Sequence, residues 1–284
     1  MSTVRTVMEL ITISSDYLQQ RGCENPRLDA ELLLGHLLHL SRLQLYMNFD
    51  RPLNTEEIDG YRRLVGKRGQ RTPVSYLTAS KEFYSNDFLV TSDVLIPRPE
   101  TEFLVEKAIG IAKAYSAPTI LDLGTGSGII GISLAKEVPT CSVVAADISA
   151  AALAVAQENA IRLGVGGQLT FVESNLFFAL SDYRFQMICT NPPYIPTLDI
   201  RDLACEVQQE PVRALDGGDD GLDFYRRILS QAGEYLEKPG YVLLEIGWDQ
   251  AEAVSCIGQA QGFRLSEVIQ DYAGNDRVVI LQWI

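Results

Sequence analysis

The feature that most limits the possible folds is a regular alternation of strand-like and helix-like segments between residues 120 and 261. The strand-like segments are 120–123, 142–146, 169–172, 185–189 and 241–245, and the helix-like segments are 129–137, 150–163, 222–235 and 250–261. Because strands separated by a helix run in the same direction, this order predicts a parallel sheet covered by helices on both faces. The last two segments, 263–269 and 277–283, are too close together for a crossover helix and should pair antiparallel.

About the first 70 residues lack this alternation and are predicted to form a small helical bundle. Asn25 and Pro26 supply a cap and a first-turn proline before a Leu-rich run, and Asn54 with Glu57 has the capping-box pattern of a further helix. Residues 83–91 have the pattern of two short strands around a turn. We therefore expect a helical domain at 1–75, a β-hairpin linker at 76–95 and a sheet domain at 96–284.

The charge balance argues against a nucleic-acid groove. The chain has 24 lysine and arginine residues against 37 aspartate and glutamate residues, a net charge of −13 at pH 7. Binding to phosphate normally depends on a basic surface, so nucleic-acid binding is disfavoured, although a local patch could survive under a negative total. Arg62-Arg63 and Lys67-Arg68 leave a DNA-binding helix-turn-helix open, but a solvated helix face is the simpler interpretation.

Membranes, disulfides and metals are not indicated either. The chain has no run of about 18 apolar residues, and Met1–Arg5 lacks the layout of a secretory signal, so we expect a cytoplasmic protein without membrane association. The five cysteines are scattered and form no C-x-x-C pair. His36 and His39 could share a helix face, but two nitrogens without a third ligand rarely bind a metal, and we expect no metal site.

A glycine-rich turn follows the strand at 120–123 and precedes a helix. Glycines in such a turn let a ligand approach backbone N–H groups, and Asp147, at the end of the next strand, suits a carboxylate that receives ribose hydroxyls. An adenosine-containing cofactor is therefore implied. A nicotinamide dinucleotide would favour G-x-G-x-x-G, whereas residue 129 is Ile. The candidate cofactor residues are Gly124, Thr125, Gly126, Ser127, Gly128, Asp147 and, beside them, Asn191.

A second motif, Asn191-Pro192-Pro193-Tyr194, lies at the end of the fourth strand. Ordinary strand or turn structure gives little reason for this run of residues. Two prolines cannot continue a sheet ladder and hold the backbone stiff and extended. The Asn191 side-chain oxygen and the Pro192 carbonyl could each accept one N–H of an NH2 group, which would orient its nitrogen toward a methyl donor. Tyr194 would offer a flat face to the planar group. We predict that Asn191, Pro192 and Tyr194 are catalytic, and that these three and Pro193 bind the substrate.

Taken with further motifs in the same order, the chain resembles the bacterial release-factor glutamine methyltransferases. The motifs are residues 95–102, 122–128 and 191–195, followed by Glu210-Pro211, Ala214-Leu215, Gly217-Gly218 and 220–222, with 27–31 near the start and 274–277 near the end. Asn-Pro-Pro-Tyr alone also occurs in adenine and guanine amino-methyltransferases. Residues 96–102 and the helical N-terminal region favour the release-factor enzymes over these other methyltransferases. The resemblance spans almost the whole chain.

The resemblance implies a class I, Rossmann-like methyltransferase sheet that uses S-adenosylmethionine, with an N-terminal helical domain that recognises the substrate. It implies methylation of the glutamine amide nitrogen in the Gly-Gly-Gln tripeptide of class 1 peptide chain release factors. Residues 124–128 would wrap the methionine part of the cofactor, Asp147 would hold its ribose, and residues 191–194 would receive the amide. We expect a monomer, direct methyl transfer and no metal. Asn175 and Gln209 depart from the family pattern, where an Asp and an aromatic residue are expected.

Three other interpretations are kept open. A nucleic-acid amino-methyltransferase would apply the same corner to a flipped base, but it should show a basic face or a target-reading domain. A nicotinamide-dependent oxidoreductase would need a different glycine pattern. A non-catalytic binding module could keep the glycine turn, but it would have no need of the intact Asn-Pro-Pro-Tyr corner.

Overall fold

The computed structural model describes residues 5–284 and divides them into two units. Residues 5–80 and the distant segment Ala204–Gln209 form the helical unit, and residues 81–203 and 210–284 form the sheet unit. Met1–Val4, on which the expectation of no secretory signal partly depends, lie outside the described residues. Among the helices in the described part of the chain, none is long and apolar enough to span a membrane.

The helical unit contains five helices and one small pair of strands. They are β1 (Arg5–Thr6), α1 (Val7–Gln20), α2 (Pro26–Leu38), α3 (Arg42–Met47), β2 (Pro52–Leu53), α4 (Thr55–Gly69) and α5 (Val74–Thr78). The capping box predicted at the start of α4 is confirmed, because Asn54 and Glu57 bond reciprocally to each other's backbone. Asn25 is the N-cap residue of α2 and Pro26 begins the helix, as predicted, but the Asn25 side chain makes no capping hydrogen bond.

A buried arginine joins the segment Ala204–Gln209 to the helices of this unit. Arg68, only 5% exposed, donates to Asp29 at 2.7 Å and to Glu206 at 2.8 Å. Arg71 donates two further hydrogen bonds to Glu206, at 2.7 and 2.6 Å. Since a buried guanidinium is costly without partners, this network fixes the segment to the unit.

The network predicts an acid-dependent loss of stability. Burial raises the pKa of Glu206, but the hydrogen bonds from Arg71 and Arg68 outweigh it and lower the pKa from 4.5 to about 2. A depressed folded-state pKa stabilises the protein above the unfolded value, and this stabilisation disappears as the pH falls from 4.5 toward 2. Urea unfolding at several pH values should therefore show a shallower acid loss for Glu206→Gln than for the wild type. Glu24→Gln, at an exposed position of the same unit, should keep the wild-type slope.

The sheet unit begins with a hairpin and continues as the predicted alternation. Its elements are β3 (Lys81–Phe83), β4 (Asn86–Phe88), α6 (Thr101–Ala112), β5 (Thr119–Leu123), α7 (Ile129–Glu137), β6 (Ser142–Asp147), α8 (Ala150–Arg162), β7 (Leu169–Glu173), β8 (Phe185–Thr190), α9 (Asp223–Tyr235), β9 (Leu236–Glu245), α10 (Ala251–Ala260), β10 (Arg264–Gln270) and β11 (Asp276–Trp283). The residues between β8 and α9 form a long loop with short 3₁₀ turns.

Seven strands form one sheet in the order β10-β11-β9-β8-β5-β6-β7. The strands from β9 to β7 in this order are parallel, whereas β11 pairs antiparallel with β9 and with β10. Both predictions, the parallel sheet and the antiparallel final pair, are confirmed. One apolar cluster includes side chains of α6 and α7, and a second includes side chains of α9 and α10. The chain order reverses between β5 and β8, and ligands bind at such a point in open sheets, outside the carboxyl ends of the strands.

The hairpin begins two residues and ends three residues earlier than predicted, and it packs into the sheet unit. Tyr84 and Ser85 form its turn, both with positive φ. Phe83 and Phe88 are 1% and 0% exposed and belong to the cluster with α6 and α7. Aromatic burial therefore fixes the register of this hairpin.

Candidate active site

A cavity of about 430 Å³ opens where β5, β6 and β8 end. Its wall includes the turn after β5, Asp147 at the end of β6 and the corner after β8. This volume is in the usual range for a small-molecule site. The two motifs that the sequence singled out are therefore brought together at one edge of the sheet.

The turn after β5 presents bare backbone to the cavity. Gly124 and Gly126 have φ values of +74° and +54°, and a Cβ at either position would meet no other part of the protein within 4 Å. Open space beside a glycine backbone is what a ligand-cradling turn requires. Gly128 does not line the cavity, and glycine is required there for a different reason. A Cβ at this position would lie 2.7 Å from Ile132 and 3.2 Å from Ala156.

A buried carboxylate, Asp122, braces this turn from within. Its Oδ2 accepts hydrogen bonds from the Thr125 hydroxyl at 2.6 Å and the Gly131 N–H at 2.8 Å. Burial raises the pKa of Asp122 to about 6, against the lowering effect of those two hydrogen bonds. Thr125 and Ser127 also line the cavity but are themselves only 4% and 3% exposed.

Asp147 lies at the cavity wall with both oxygens already oriented. One oxygen accepts from the Gly126 N–H at 2.9 Å and the other accepts from the Ser149 N–H at 2.9 Å. Each carboxylate oxygen can accept more than one hydrogen bond, so hydroxyl groups of a ligand can still donate to it. Farther along the wall, the side-chain oxygen of Asn175 accepts from Arg227 at 3.0 Å.

The corner after β8 places Asn191, Pro192 and Pro193 on the cavity wall. Thr190 anchors the end of the strand by donating from its hydroxyl to the Leu123 carbonyl at 2.7 Å. The Asn191 NH2 group donates to the Thr101 hydroxyl at 3.3 Å. With its nitrogen engaged in this way, the side-chain oxygen of Asn191 is the atom left to accept from a ligand.

Tyr194 does not line the cavity. Its ring packs against the apolar cluster that contains α9 and α10, and burial raises its pKa to about 12. Its carbonyl accepts from the side-chain NH2 of Gln250 at 3.0 Å. The stacking role therefore stays a prediction, and the observed contribution of Tyr194 is to anchor the corner.

Two glycines explain why the corner can fold back so closely. A Cβ on Gly217 would lie 2.8 Å from the Tyr194 Cα and 2.9 Å from the Pro193 carbonyl oxygen. Gly221 has a φ of +73°, and a Cβ there would overlap the Tyr194 carbonyl oxygen. The motif at 217–222, noted in the sequence without a role, is thus a packing surface for the corner.

Sequence reasoning missed an ion pair at another part of the cavity wall. Arg98 donates to the buried Glu210 at 2.5 Å, and Glu210 also accepts from the Ile96 N–H at 3.0 Å. Both residues lie in motifs quoted from the sequence, but their pairing across more than a hundred positions gives no local pattern. Gln209, the residue before Glu210, ends a short 3₁₀ turn.

Known proteins resemble this chain over almost its whole length. The family model described as PrmC N-terminal domain matches residues 9–78, and the one described as methyltransferase small domain matches residues 100–219. A release factor glutamine methyltransferase from Geobacter sulfurreducens is 46% identical over 96% of this chain and 95% of its own length. The chain belongs to the release factor glutamine methyltransferase family. A member from Moorella thermoacetica is 43% identical over 90% of this chain and 91% of its own length.

The expected family and fold class are therefore confirmed. A methyltransferase of known structure from Pyrococcus furiosus covers 71% of this chain and 91% of its own, with a TM-score of 0.54 and 18% identity, which shows the fold alone. Family membership also confirms that the chain is a methyltransferase enzyme and that its cofactor is S-adenosylmethionine. The oxidoreductase and the non-catalytic module are set aside.

The residues of the cavity fit this cofactor. The open backbone at Gly124 and Gly126 is accessible to a polar chain, and the carboxylate of Asp147 suits ribose hydroxyls. Apolar side chains on the same wall, including Leu176, Phe224 and Ile228, suit the faces of an adenine ring. Among residues 5–284, no group of three His, Cys, Asp or Glu side chains has the arrangement of a metal site.

Proposed function

We propose that the chain methylates the side-chain amide nitrogen of the glutamine in the Gly-Gly-Gln tripeptide of class 1 peptide chain release factors. One observation carries this proposal: the Asn191-Pro192 corner adjoins the glycine turn in a single cavity, with the Asn191 NH2 group tied back to Thr101. An oxygen acceptor is thereby presented at the edge of the cofactor cavity, where an NH2 group can donate to it.

The corner would act by orientation. The Asn191 side-chain oxygen and the Pro192 carbonyl each accept one N–H of the glutamine amide, which directs the nitrogen lone pair into the cavity. Hydrogen bonds of this kind also stabilise positive charge that develops on the nitrogen. The rigid prolines and the packing of Gly217 and Gly221 against the corner hold the two acceptors in place.

Residues 124–128 would wrap the methionine part of the cofactor, and Asp147 would hold its ribose. When bound, S-adenosylmethionine supplies a methyl group attached to a positively charged sulfur. Asn175 would face the adenine, although its oxygen already accepts from Arg227. The Arg98–Glu210 pair would keep its part of the cavity wall closed around these groups.

The helical unit would recognise the protein substrate. This part of the proposal is supported by the match of residues 9–78 to the PrmC N-terminal domain. We further propose that the enzyme acts as a monomer in the cytoplasm and without direct nucleic-acid binding, in keeping with its net charge of −13. An acidic protein suits a partner with a basic surface, and such attraction weakens as salt is added.

Mass spectrometry tests the proposed activity. The purified chain is incubated with S-adenosylmethionine and an unmodified class 1 release factor, and the Gly-Gly-Gln peptide is examined. We expect one added methyl group on the glutamine. Parallel reactions with DNA and RNA test the alternative, since methylated adenine or guanine with an unmodified release factor would overturn the proposal in favour of a nucleic-acid amino-methyltransferase.

Asp147→Ala is expected to weaken cofactor binding about tenfold or more, because a hydrogen bond to a charged group contributes about 1.5–3 kcal/mol. Calorimetric titration with S-adenosylhomocysteine measures the affinity. Asp182→Ala, an exposed change in the same unit, serves as the control and should bind like the wild type. Equal affinity of Asp147→Ala and this control would remove Asp147 from the cofactor site.

A further inference from the structure

Glu245 is a buried carboxylate beside the proposed catalytic corner. It ends β9, is only 2% exposed, and its Oε2 has no hydrogen-bond partner among the described residues. The side chains of Thr101 and Asn191 lie beside it and lower its pKa. Burying a carboxylate costs free energy of folding unless the group is paired or hydrogen-bonded. No contact in the cofactor cavity explains why Glu245 is buried.

The side chains of Glu245, Thr101 and Asn191 form a set in which hydrogen bonds can be donated in only one direction. An ionised carboxylate can only accept, so it attracts the hydrogen of the Thr101 hydroxyl and leaves the hydroxyl oxygen to accept. The Asn191 NH2 group donates to that oxygen at 3.3 Å. Reversing the Asn191 amide would direct its oxygen at the Thr101 hydroxyl oxygen and the Glu245 carboxylate, both of which are acceptors, and this is unfavourable.

We propose that Glu245 is a positioning residue that fixes the orientation of the Asn191 amide, keeping its oxygen toward the glutamine substrate. This inference rests on the proposed function, since it assigns a role to Asn191 in that reaction. Glu245 itself touches neither the substrate nor the cofactor. It acts through Thr101 and Asn191, and its charge decides which end of the Asn191 amide faces the cavity.

Because it depends on the charge of Glu245, the orientation of the Asn191 amide is also sensitive to pH. Burial raises its pKa to about 7, while Thr101 and Asn191 act in the opposite direction. The titratable groups that face it are Glu100, which raises this pKa, Arg277, which lowers it, and the buried phenols of Tyr194 and Tyr225. Once protonated, Glu245 can donate, and the Asn191 amide loses its preferred orientation. Turnover should therefore fall as the pH drops below about 7.

The test compares Glu245→Gln with the wild type on a release factor substrate at saturating cofactor. Glutamine keeps the shape but can donate, so kcat should fall on the order of tenfold while the cofactor affinity is unchanged. The acidic limb of the kcat profile should disappear in this variant. Glu237→Gln, an exposed change on the same strand, is the matched control and should keep both kcat and the limb.

A second pair of variants guards against a simple folding defect. Thr101→Val removes the hydroxyl at nearly constant volume and should lower kcat as Glu245→Gln does, whereas Thr101→Ser keeps the hydroxyl and should lose less. The kcat of the double variant Glu245→Gln/Thr101→Val should be no lower than that of either single variant, because both changes disrupt the same set of hydrogen bonds. An active wild type with an unchanged kcat and pH limb in Glu245→Gln would overturn the positioning role alone. A wild type inert on release factors would instead overturn the proposed function.

Discussion

Replacing Asn191 by alanine is expected to lower kcat at saturating cofactor on the order of a hundredfold or more. The change removes one of the two acceptors that would orient the glutamine amide, and a single directed hydrogen bond in a preorganised site commonly contributes that much. The surrounding structure should tolerate the loss, because Asn191 is only partly buried. Initial rates of methylation of a release factor measure the effect.

Two controls separate this result from indirect effects. Thermal unfolding should show a melting temperature close to that of the wild type. Calorimetry should show that S-adenosylhomocysteine still binds, because most of the proposed cofactor contacts come from the glycine turn and Asp147. Near-normal turnover of Asn191→Ala under these conditions would refute the role of the corner.

Gly221→Ala is expected to destabilise the protein by about 3 kcal/mol or more and to abolish most of the activity. A Cβ at this position would overlap the Tyr194 carbonyl oxygen and would approach Gln250 Nε2 to 2.8 Å. Both atoms belong to the hydrogen bond that anchors the corner. Because backbone cannot move aside cheaply, the corner itself must shift, and its acceptors shift with it.

Gly274→Ala supplies the matched control. Gly274 has a similar positive φ of +83°, but a Cβ there meets nothing within 4 Å. Its alanine variant therefore carries only the backbone strain, about 1 kcal/mol, and should remain active. Urea unfolding and initial rates measure both variants. Equal effects of the two changes would show that strain, and not contact with the corner, limits Gly221.

Local signals in the sequence predicted the frame of the site well. The glycine turn lies between a strand and a helix, and Asn191 with its prolines ends a strand; both features are visible within a few residues. Parallel topology then brings the carboxyl ends of β5, β6 and β8 to one edge. This is why the amino-acid sequence alone predicts where the cavity lies in the fold.

The supporting residues could not be found in this way. Glu245, Thr101 and Glu210 act through partners on distant elements, and each contact depends on how those elements pack. The packing of Tyr194 against the cluster that contains α9 and α10 likewise depends on distant elements and has no local signal in its motif. Asn25 occupies the predicted N-cap position of α2 but makes no side-chain hydrogen bond there, because a residue favourable at a helix start need not form that bond.

The course of the chain through the segment Ala204–Gln209 limits how this enzyme could be divided or recombined. The polypeptide leaves the sheet unit after Leu203, supplies Glu206 to the arginines of the helical unit and returns at Glu210. A fragment that stops at residue 80 is therefore an incomplete module, with Arg68 retaining only Asp29. Chimeras that exchange substrate-recognition modules between relatives should have to transplant this short internal piece as well, together with the residues that pair with it.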